Sequence, residues 1–142
     1  MVKVVKIVII NDSNVNLINE FIENAGDSLN SFRYFKERSL KSINNHLYTC
    51  VLVSDGVSLG YGHLDLENDI VWLGIAIAQG YKGRGFGKKI MLSLINFAER
   101  NKITKIRLSV DVVNSNATNL YKSLGFKMLT KNRHNCIMQK DI

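Results

Sequence analysis

The sequence has no proline, two cysteines and no long uncharged apolar run. The absence of proline excludes a proline-rich linker between domains. A membrane-spanning helix needs about 20 predominantly apolar residues in a row, so no membrane partner is predicted. The cysteines, Cys50 and Cys136, are too few for a disulfide framework and lack the spacing of metal ligands. Both lie in apolar, strand-like segments, which predicts buried, reduced thiols and no metal site.

Length and composition indicate one domain, residues 1–142, of ordinary globular character. Hydrophobic residues make up 46% and charged residues 22% of the chain, as is usual for globular domains. The segment MVKVVKIVII at residues 1–10 lacks a small-residue cleavage site, so it predicts a first strand rather than a signal peptide. With the reduced thiols, this favours a cytoplasmic location. The formal charge of +7 suits nucleic acid, an acidic surface or a phosphate-rich small molecule and does not choose among them.

Hydrophobic periodicity predicts an α/β fold in the order β-α-α-β-β-β-α-β-α-β-β. Asp55-Gly56 is typical of a hairpin turn, and ENDI at residues 67–70 predicts another turn. The predicted strands are 4–10, 47–54, 57–66, 70–78, 105–111 and a final hairpin over 126–131 and 136–141; the predicted helices run from a cap at Asp12 or Ser13 to Gly26, near 36–44, over 85–100 and over 114–125.

The segment GYKGRGFGKK at residues 80–89 lies between a predicted strand and a predicted helix. A glycine turn at a helix N-terminus directs free N–H groups and the helix dipole towards one point, which favours phosphate. A Walker loop is excluded because Lys82 stands in place of its first glycine and Lys89 in place of its Ser or Thr. A dinucleotide-binding fingerprint is excluded because Lys88 stands in place of its third glycine. The pattern [Q/R]-x-x-G-x-[G/A] matches residues 82–87 at every position but the first. A glycine-rich turn with solvated lysines is the alternative.

A second motif follows, NSNATNLYKSLGF at residues 114–126. With the glycine loop, it resembles the GNAT superfamily of acyl-CoA-dependent N-acetyltransferases, over residues 71–126. Lys82 departs from the glutamine or arginine that the family favours. The resemblance implies a single-domain mixed sheet of about seven strands with helices on both faces. It also implies direct transfer of an acetyl group from acetyl-CoA, as co-substrate, to a primary amine in a ternary complex.

The resemblance also implies roles for individual residues. Acetyl-CoA would enter where the strands 70–78 and 105–111 splay apart, and Tyr121 would share or donate a proton to the leaving thiolate. The predicted cofactor-binding residues are Ile75, Ala76 and Ile77 for pantetheine, Lys82, Gly83, Arg84, Gly85, Phe86, Gly87 and Lys88 for pyrophosphate, and Asn114. Each has another interpretation: strand core, solvated helix start, helix cap or, for Tyr121, a core aromatic.

The general base is less defined. The family often places a glutamate on the strand 70–78, but IVWLGIAIA contains no acid. Asp65 and His63 alternate onto one strand face and are the candidates, beside a water relay; solvated strand ends are the alternative for both. His134 is a weaker candidate. Gly74 is costly inside a strand unless backbone or ligand approaches closely.

The sequence does not identify the acceptor amine. SFRYFKER at residues 31–38 could hold a phosphorylated amino sugar through its arginines and aromatic rings; packed rings with exposed arginines are the alternative. Peptide N-termini, polyamines and aminoglycosides remain candidates, although few acids are predicted in the site lining to attract a polycation. A non-catalytic acyl-CoA-binding module is the other class. Nucleic acid is disfavoured because the charge concentrates at the loop without interleaved aromatics, and a monomer or homodimer is expected.

Overall fold

A computed structural model describes residues 4–36, 38 and 40–142. They form a seven-stranded sheet in the spatial order β1-β2-β3-β4-β5-β7-β6, in which only β4 and β5 pair in parallel. The elements are β1 Val5–Ile9, α1 Asn16–Ala25, β2 His46–Ser54, β3 Val57–Glu67, β4 Ile70–Ile77, α2 Phe86–Arg100, β5 Lys105–Asp111, α3 Ser115–Ser123, β6 Lys127–Lys131 and β7 Asn135–Asp141. The predicted mixed sheet and its element order are confirmed in outline.

Two tight turns fix the register of β2, β3 and β4. Asp55 and Gly56 have φ of 51° and 76°, and Asn68 and Asp69 have φ of 51° and 66°. Positive φ at both central residues matches the twist of an antiparallel hairpin. Both turn predictions are therefore confirmed.

The predicted helix near 36–44 is wrong. The chain forms short 3-10 turns at Tyr34–Lys36 and Leu40–Asn45, and another at Gly26–Asn30 that was not predicted. Residues 37 and 39, which fall inside the prediction, lie outside the described residues. Serine and asparagine in the sequence KSINN have low helix propensity because their side chains compete for backbone hydrogen bonds.

The start of α1 also differs from the prediction. Val15 occupies the N-cap position without a side-chain cap bond. The polar residues before it bond to one another, since Oδ1 of Asn11 accepts the backbone N–H of Ser13 at 2.8 Å. Such local bonds offer the backbone an alternative to the helix. The helix ends at Gly26 with φ of 60°, as predicted.

The sheet has a hydrophobic core on each face. α1 packs on one face, with Ile18 and Phe21 against Tyr61, while α2 and α3 cover the other face. Cys50 and Cys136 are buried free thiols, as predicted, and burial raises the pKa of Cys50 to about 12. Within the described ranges, no helix combines the length and the apolar character that crossing a membrane requires.

Candidate active site

The sheet opens between β4 and β5. Within the described residues, these strands pair at a single position, Trp72 with Arg107. On its other side, β4 pairs with β3 along its whole length, from Ile70 to Ile77. The edge of β4 beyond Trp72 therefore has backbone groups without a partner strand, and a cleft of about 1050 Å³ passes through this opening.

Most of the residues predicted for the site line this one cleft. They are His63, Asp65, Ile75, Ala76, Ile77, Lys82, Gly83, Gly85, Gly87, Lys88, Asn114 and Tyr121. Arg84 and Phe86 are not among the lining residues: the Arg84 guanidinium lies 5.3 Å from the centre of the Tyr81 ring, and Phe86 packs against the core under α2. His134 is exposed and does not line the cleft either.

The glycine loop presents free backbone donors to the cleft. Gly83 and Gly85 have φ of 78° and 82°, a conformation that favours glycine. Gly85 is the N-cap of α2 without a side-chain cap bond, and the N–H of Lys89 is the first to bond back along the helix, to Gly85 O at 3.2 Å. The N–H groups before Lys89 have no helix carbonyl to bind. A Cβ at Gly83 or Gly85 would meet nothing within 4 Å, so the space beside these two residues is open, as a phosphate site needs.

Tyr121 projects from α3 into the opposite wall. Its side chain is 8% exposed, and burial raises the pKa of its phenol to about 12. Residues 4–36, 38 and 40–142 provide no hydrogen-bond partner for its hydroxyl. Asn114 fixes the start of α3, because its Oδ1 accepts the N–H of Ala117 at 3.2 Å. The capping interpretation of Asn114 is therefore confirmed, and its contact with a cofactor stays a prediction.

The other wall is built from buried polar groups. His63 is 3% and Asp65 5% exposed, so the alternative of solvated strand ends is wrong for both. His63 Nδ1 lies 2.7 Å from the Tyr61 hydroxyl, and burial holds the pKa of His63 well below its usual value. The Tyr34 hydroxyl donates to Oδ2 of Asp65 at 3.0 Å. Gly74 makes room for this wall, since a Cβ there would lie 2.5 Å from the His63 ring; the close approach is by a side chain rather than by backbone.

His46 lies behind this wall, without lining the cleft itself, and was not predicted. Its Nε2 lies 2.7 Å from the Tyr34 hydroxyl, and its ring centre is 4.4 Å from that of His63. A signal was present in the sequence: counting back equally from both sides of the Asp55-Gly56 turn pairs His46 with Asp65, as the structure does. A histidine facing a carboxylate across a hairpin is a candidate for a polar site.

Charges of both signs meet at the mouth of the cleft. Asp65, Glu67 and Asp111 line it, so the expectation of few acids is wrong. Arg33 pairs with Asp111 at 3.1 Å and Arg38 with Glu67 at 3.7 Å. The Arg38 guanidinium also lies 4.4 Å from the Tyr34 ring centre. Both arginines therefore already have anionic partners, although these exposed pairs are weak.

Comparisons with known proteins agree with this geometry. The sequence model of the acetyltransferase (GNAT) family matches residues 15–126. Spermine/spermidine N(1)-acetyltransferase of Bacillus subtilis (strain 168) is 40% identical over 65 residues, which are 44% of this chain and 43% of that protein. The chain spans less than half the length of the curated relatives that it matches.

Solved structures share the fold at low sequence identity. The ribosomal-protein-S18-alanine N-acetyltransferase from Escherichia coli has a TM-score of 0.76 and 20% identity, over 98% of this chain and 94% of that one. The PaiA N-acetyltransferase from Thermoplasma acidophilum, in complex with coenzyme A, has a TM-score of 0.78 and 18% identity, over 98% and 99%.

Proposed function

Because the chain belongs to the acetyltransferase (GNAT) family, we propose that it transfers an acetyl group from acetyl-CoA directly to a primary amine. One observation carries this proposal: the unpaired edge of β4, the glycine loop and Tyr121 line a single cleft. A binding module would need the first two features but would not need a phenol beside the opening. The amine would reach the acetyl group from the wall that holds His63 and Asp65.

The residues present fit acetyl-CoA. The backbone groups of β4 beyond Trp72 that have no partner can pair with the amides of pantetheine as a further strand would, although the Ile77 carbonyl already accepts the Ser28 hydroxyl. The N–H groups at the start of α2 can bind the pyrophosphate, with added charge from Lys82 and Lys88, which both line the cleft. The thioester supplies the activated acetyl group.

The reaction forms a C–N bond and breaks a C–S bond. An acceptor that binds as an ammonium ion must lose one proton before its nitrogen can attack and a second as the amide forms. The leaving sulfur takes up one proton, so one proton is released overall. Since the pKa of the Tyr121 phenol is raised to about 12, the phenol stays protonated and can donate a hydrogen bond to the sulfur, whose thiol has a pKa of about 8.5.

The acceptor that we propose is a small amine with a further positive charge, such as a polyamine. Asp65, Glu67 and Asp111 line the acceptor end of the cleft, and ammonium groups can compete with Arg33 and Arg38 for these carboxylates. The similarity to the Bacillus subtilis spermine/spermidine acetyltransferase supports the same class. A phosphorylated amino sugar held by the arginines is the second candidate, and a peptide N-terminus the third.

Release of free thiol from acetyl-CoA tests the proposal. The panel of amines is spermidine, n-butylamine, glucosamine 6-phosphate and a peptide with a free N-terminal alanine. We expect thiol release to depend on the amine, with spermidine giving the highest kcat/KM. Binding of acetyl-CoA without thiol release for any amine would indicate a binding module.

Arg33→Ala distinguishes a polyamine acceptor from a phosphorylated amino sugar, because the two predict opposite changes in KM. If the acceptor is cationic, removal of Arg33 frees Asp111 and should lower the KM for spermidine. If Arg33 binds a phosphate, the same change should raise the KM for glucosamine 6-phosphate. Asp111→Asn is the matched variant, and we expect it to raise the KM for spermidine more than that for n-butylamine.

A further inference from the structure

A second cavity lies beside the start of β2 and the end of α2. Its volume is about 510 Å³, and its lining includes His46, Tyr48, Thr49, Phe97 and Arg100. None of these residues lines the cleft between β4 and β5. The proposed function does not use this second cavity.

A chain of hydrogen bonds joins the cleft to the second cavity. It begins at Asp65, which lines the cleft and whose Oδ2 accepts the Tyr34 hydroxyl at 3.0 Å. The Tyr34 oxygen lies 2.7 Å from Nε2 of His46, and Nδ1 of His46 lies 2.8 Å from Oγ1 of Thr49. His46 and Thr49 line the second cavity. The chain therefore spans the wall between the two openings.

We infer that Asp65, Tyr34 and His46 form a proton exit route, which carries the proton of the bound ammonium group from the cleft to the second cavity. This inference rests on the proposed function, because only an amine acceptor has this proton to lose. It also explains how the reaction can proceed without an acidic residue on β4, because the first proton acceptor, Asp65, lies on the neighbouring strand β3. Asp65 contacts the acceptor in this scheme, while His46 acts through Tyr34.

The transfer balances at each atom. The carboxylate of Asp65 takes a proton from the ammonium nitrogen and no longer accepts the Tyr34 hydroxyl, which turns its proton from Oδ2 of Asp65 to Nε2 of His46. Asp65 then passes the new proton to the Tyr34 oxygen as Tyr34 gives its own proton to Nε2. His46 must begin with its proton on Nδ1, donated to Oγ1 of Thr49. It ends as an imidazolium, Asp65 is again a carboxylate, and the neutral amine is free to attack. Solvent in the second cavity then removes the proton from His46.

The surroundings of His46 favour this last step. Among the residues that the structure describes, the titratable or charged groups that face it are Tyr34 and Arg38, His63 and Asp65 from β3, and Arg100 across the second cavity. Burial, with a smaller contribution from Arg38, lowers the pKa of His46, while Asp65 opposes this. An imidazolium with a lowered pKa returns its proton readily near neutral pH.

The pH dependence of kcat/KM tests the route. At pH 7 only about one primary alkylamine molecule in 2500 is neutral in water, and at pH 9.5 about one in nine. The wild-type enzyme, which accepts the ammonium proton, should have a nearly flat kcat/KM between these values. Tyr34→Phe lacks the route and can use only the neutral form of the amine. Its kcat/KM should therefore be about 100-fold lower than that of the wild type at pH 7 and rise nearly tenfold per pH unit. The amine is the fastest one of the panel above.

Chemical rescue tests the far end of the route. His46→Ala leaves space that joins the second cavity, and added imidazole can enter there. We expect imidazole to restore the rate of His46→Ala at least about tenfold and to leave Tyr34→Phe unchanged. Tyr48→Phe is the control: Tyr48 lines the same cavity but bonds to Ser93 at 2.8 Å, and it should react as wild type does.

Two outcomes would overturn the inference. The first is a loss of kcat/KM in Tyr34→Phe that is equal at pH 7 and pH 9.5. The second is that imidazole fails to restore the rate of His46→Ala, or restores that of Tyr34→Phe equally. Histidine ¹⁵N spectra give a readout that does not require turnover. Tyr34→Phe should change the tautomer or the titration of His46, whereas Tyr48→Phe should not. If no amine is acetylated, the proposed function fails and the exit route with it; if an amine is acetylated with unchanged pH profiles, only the exit route fails.

Discussion

Replacement of Gly74 by alanine would push a methyl group into the ring of His63. The new Cβ would lie 2.5 Å from both Cε1 and Nε2 of that ring, whereas carbon atoms in contact are about 3.5–4.0 Å apart. The ring has little freedom to move, since it bonds to Tyr61 and its centre lies 4.3 Å from the Tyr34 ring centre and 4.4 Å from that of His46. The two residues must therefore separate by about 1 Å or more.

The cost follows from overpacking and from one hydrogen bond. Overpacking in a core typically costs about 1–3 kcal/mol, and loss of the bond between His63 and Tyr61 would add about 1 kcal/mol. We expect Gly74→Ala to lower the free energy of unfolding by about 2–4 kcal/mol. For a chain of this length, Tm should fall by roughly 2–4 °C for each kcal/mol. Urea unfolding followed by circular dichroism measures the difference.

A double-mutant cycle identifies the cause. In a His63→Ala background, the methyl group of Gly74→Ala has room, so its cost should fall by at least about 1 kcal/mol. Gly60→Ala is the matched control on β3: its Cβ would lie 2.6 Å from Cδ1 of Ile90, a side-chain end that can rotate away. His63→Ala should leave the cost of Gly60→Ala unchanged within about 0.5 kcal/mol. Equal costs for Gly74→Ala with and without the ring would refute the steric reasoning.

Further predictions concern the cofactor side of the cleft. Tyr121→Phe should lower kcat by roughly 10- to 1000-fold in steady-state assays with little change in Tm; a rate within twofold of wild type would make Tyr121 a core aromatic only. Gly85→Val, at a φ of 82°, should weaken coenzyme A binding at least about tenfold in calorimetry because it strains the turn and covers its N–H groups; unchanged affinity in a folded variant would rule out the loop as the pyrophosphate site. Gly87→Val should have a similar effect without that strain, since its Cβ would lie at an ordinary 3.4 Å from Leu120. The pKa of Tyr121 is raised in the fold to about 12, so the contribution of its neutral phenol to stability is complete below about pH 10 and declines as pH rises towards 12; over this range the wild type should therefore become less stable than Tyr121→Phe in alkaline unfolding, and parallel curves would contradict the shift.

The parts of the fold that local sequence determines were predicted well. The Asp55-Gly56 turn, the glycine that ends α1 and the apolar periodicity of α2 each act over a few residues, and each is confirmed. The resemblance to the GNAT superfamily is confirmed by the family model over residues 15–126. The helix near 36–44 was mispredicted because the polar run KSINN favours a short 3-10 turn over an α-helix.

The polar side of the cleft around Asp65 was the hardest part to predict because no motif encodes it. Tyr34, His46, Asp65 and Asp111 come from a 3-10 turn and three different strands, so their spacing along the chain carries no fixed pattern. The glycine loop, by contrast, is one run of ten residues.

Net charge describes one end of the cleft better than the other. The formal charge of +7 suggested an anionic partner, and the lysines of the glycine loop fit one, since Lys82 and Lys88 line that end of the cleft. At the other end, Asp65, Glu67 and Asp111 face two arginines, so the local balance is acidic. Electrostatic interactions between exposed charges fade over about 8–10 Å at physiological salt. A cationic amine that approaches this end of the cleft would therefore respond to these nearby carboxylates more than to the charge of the whole chain, so the basic composition is compatible with the cationic acceptor that we propose.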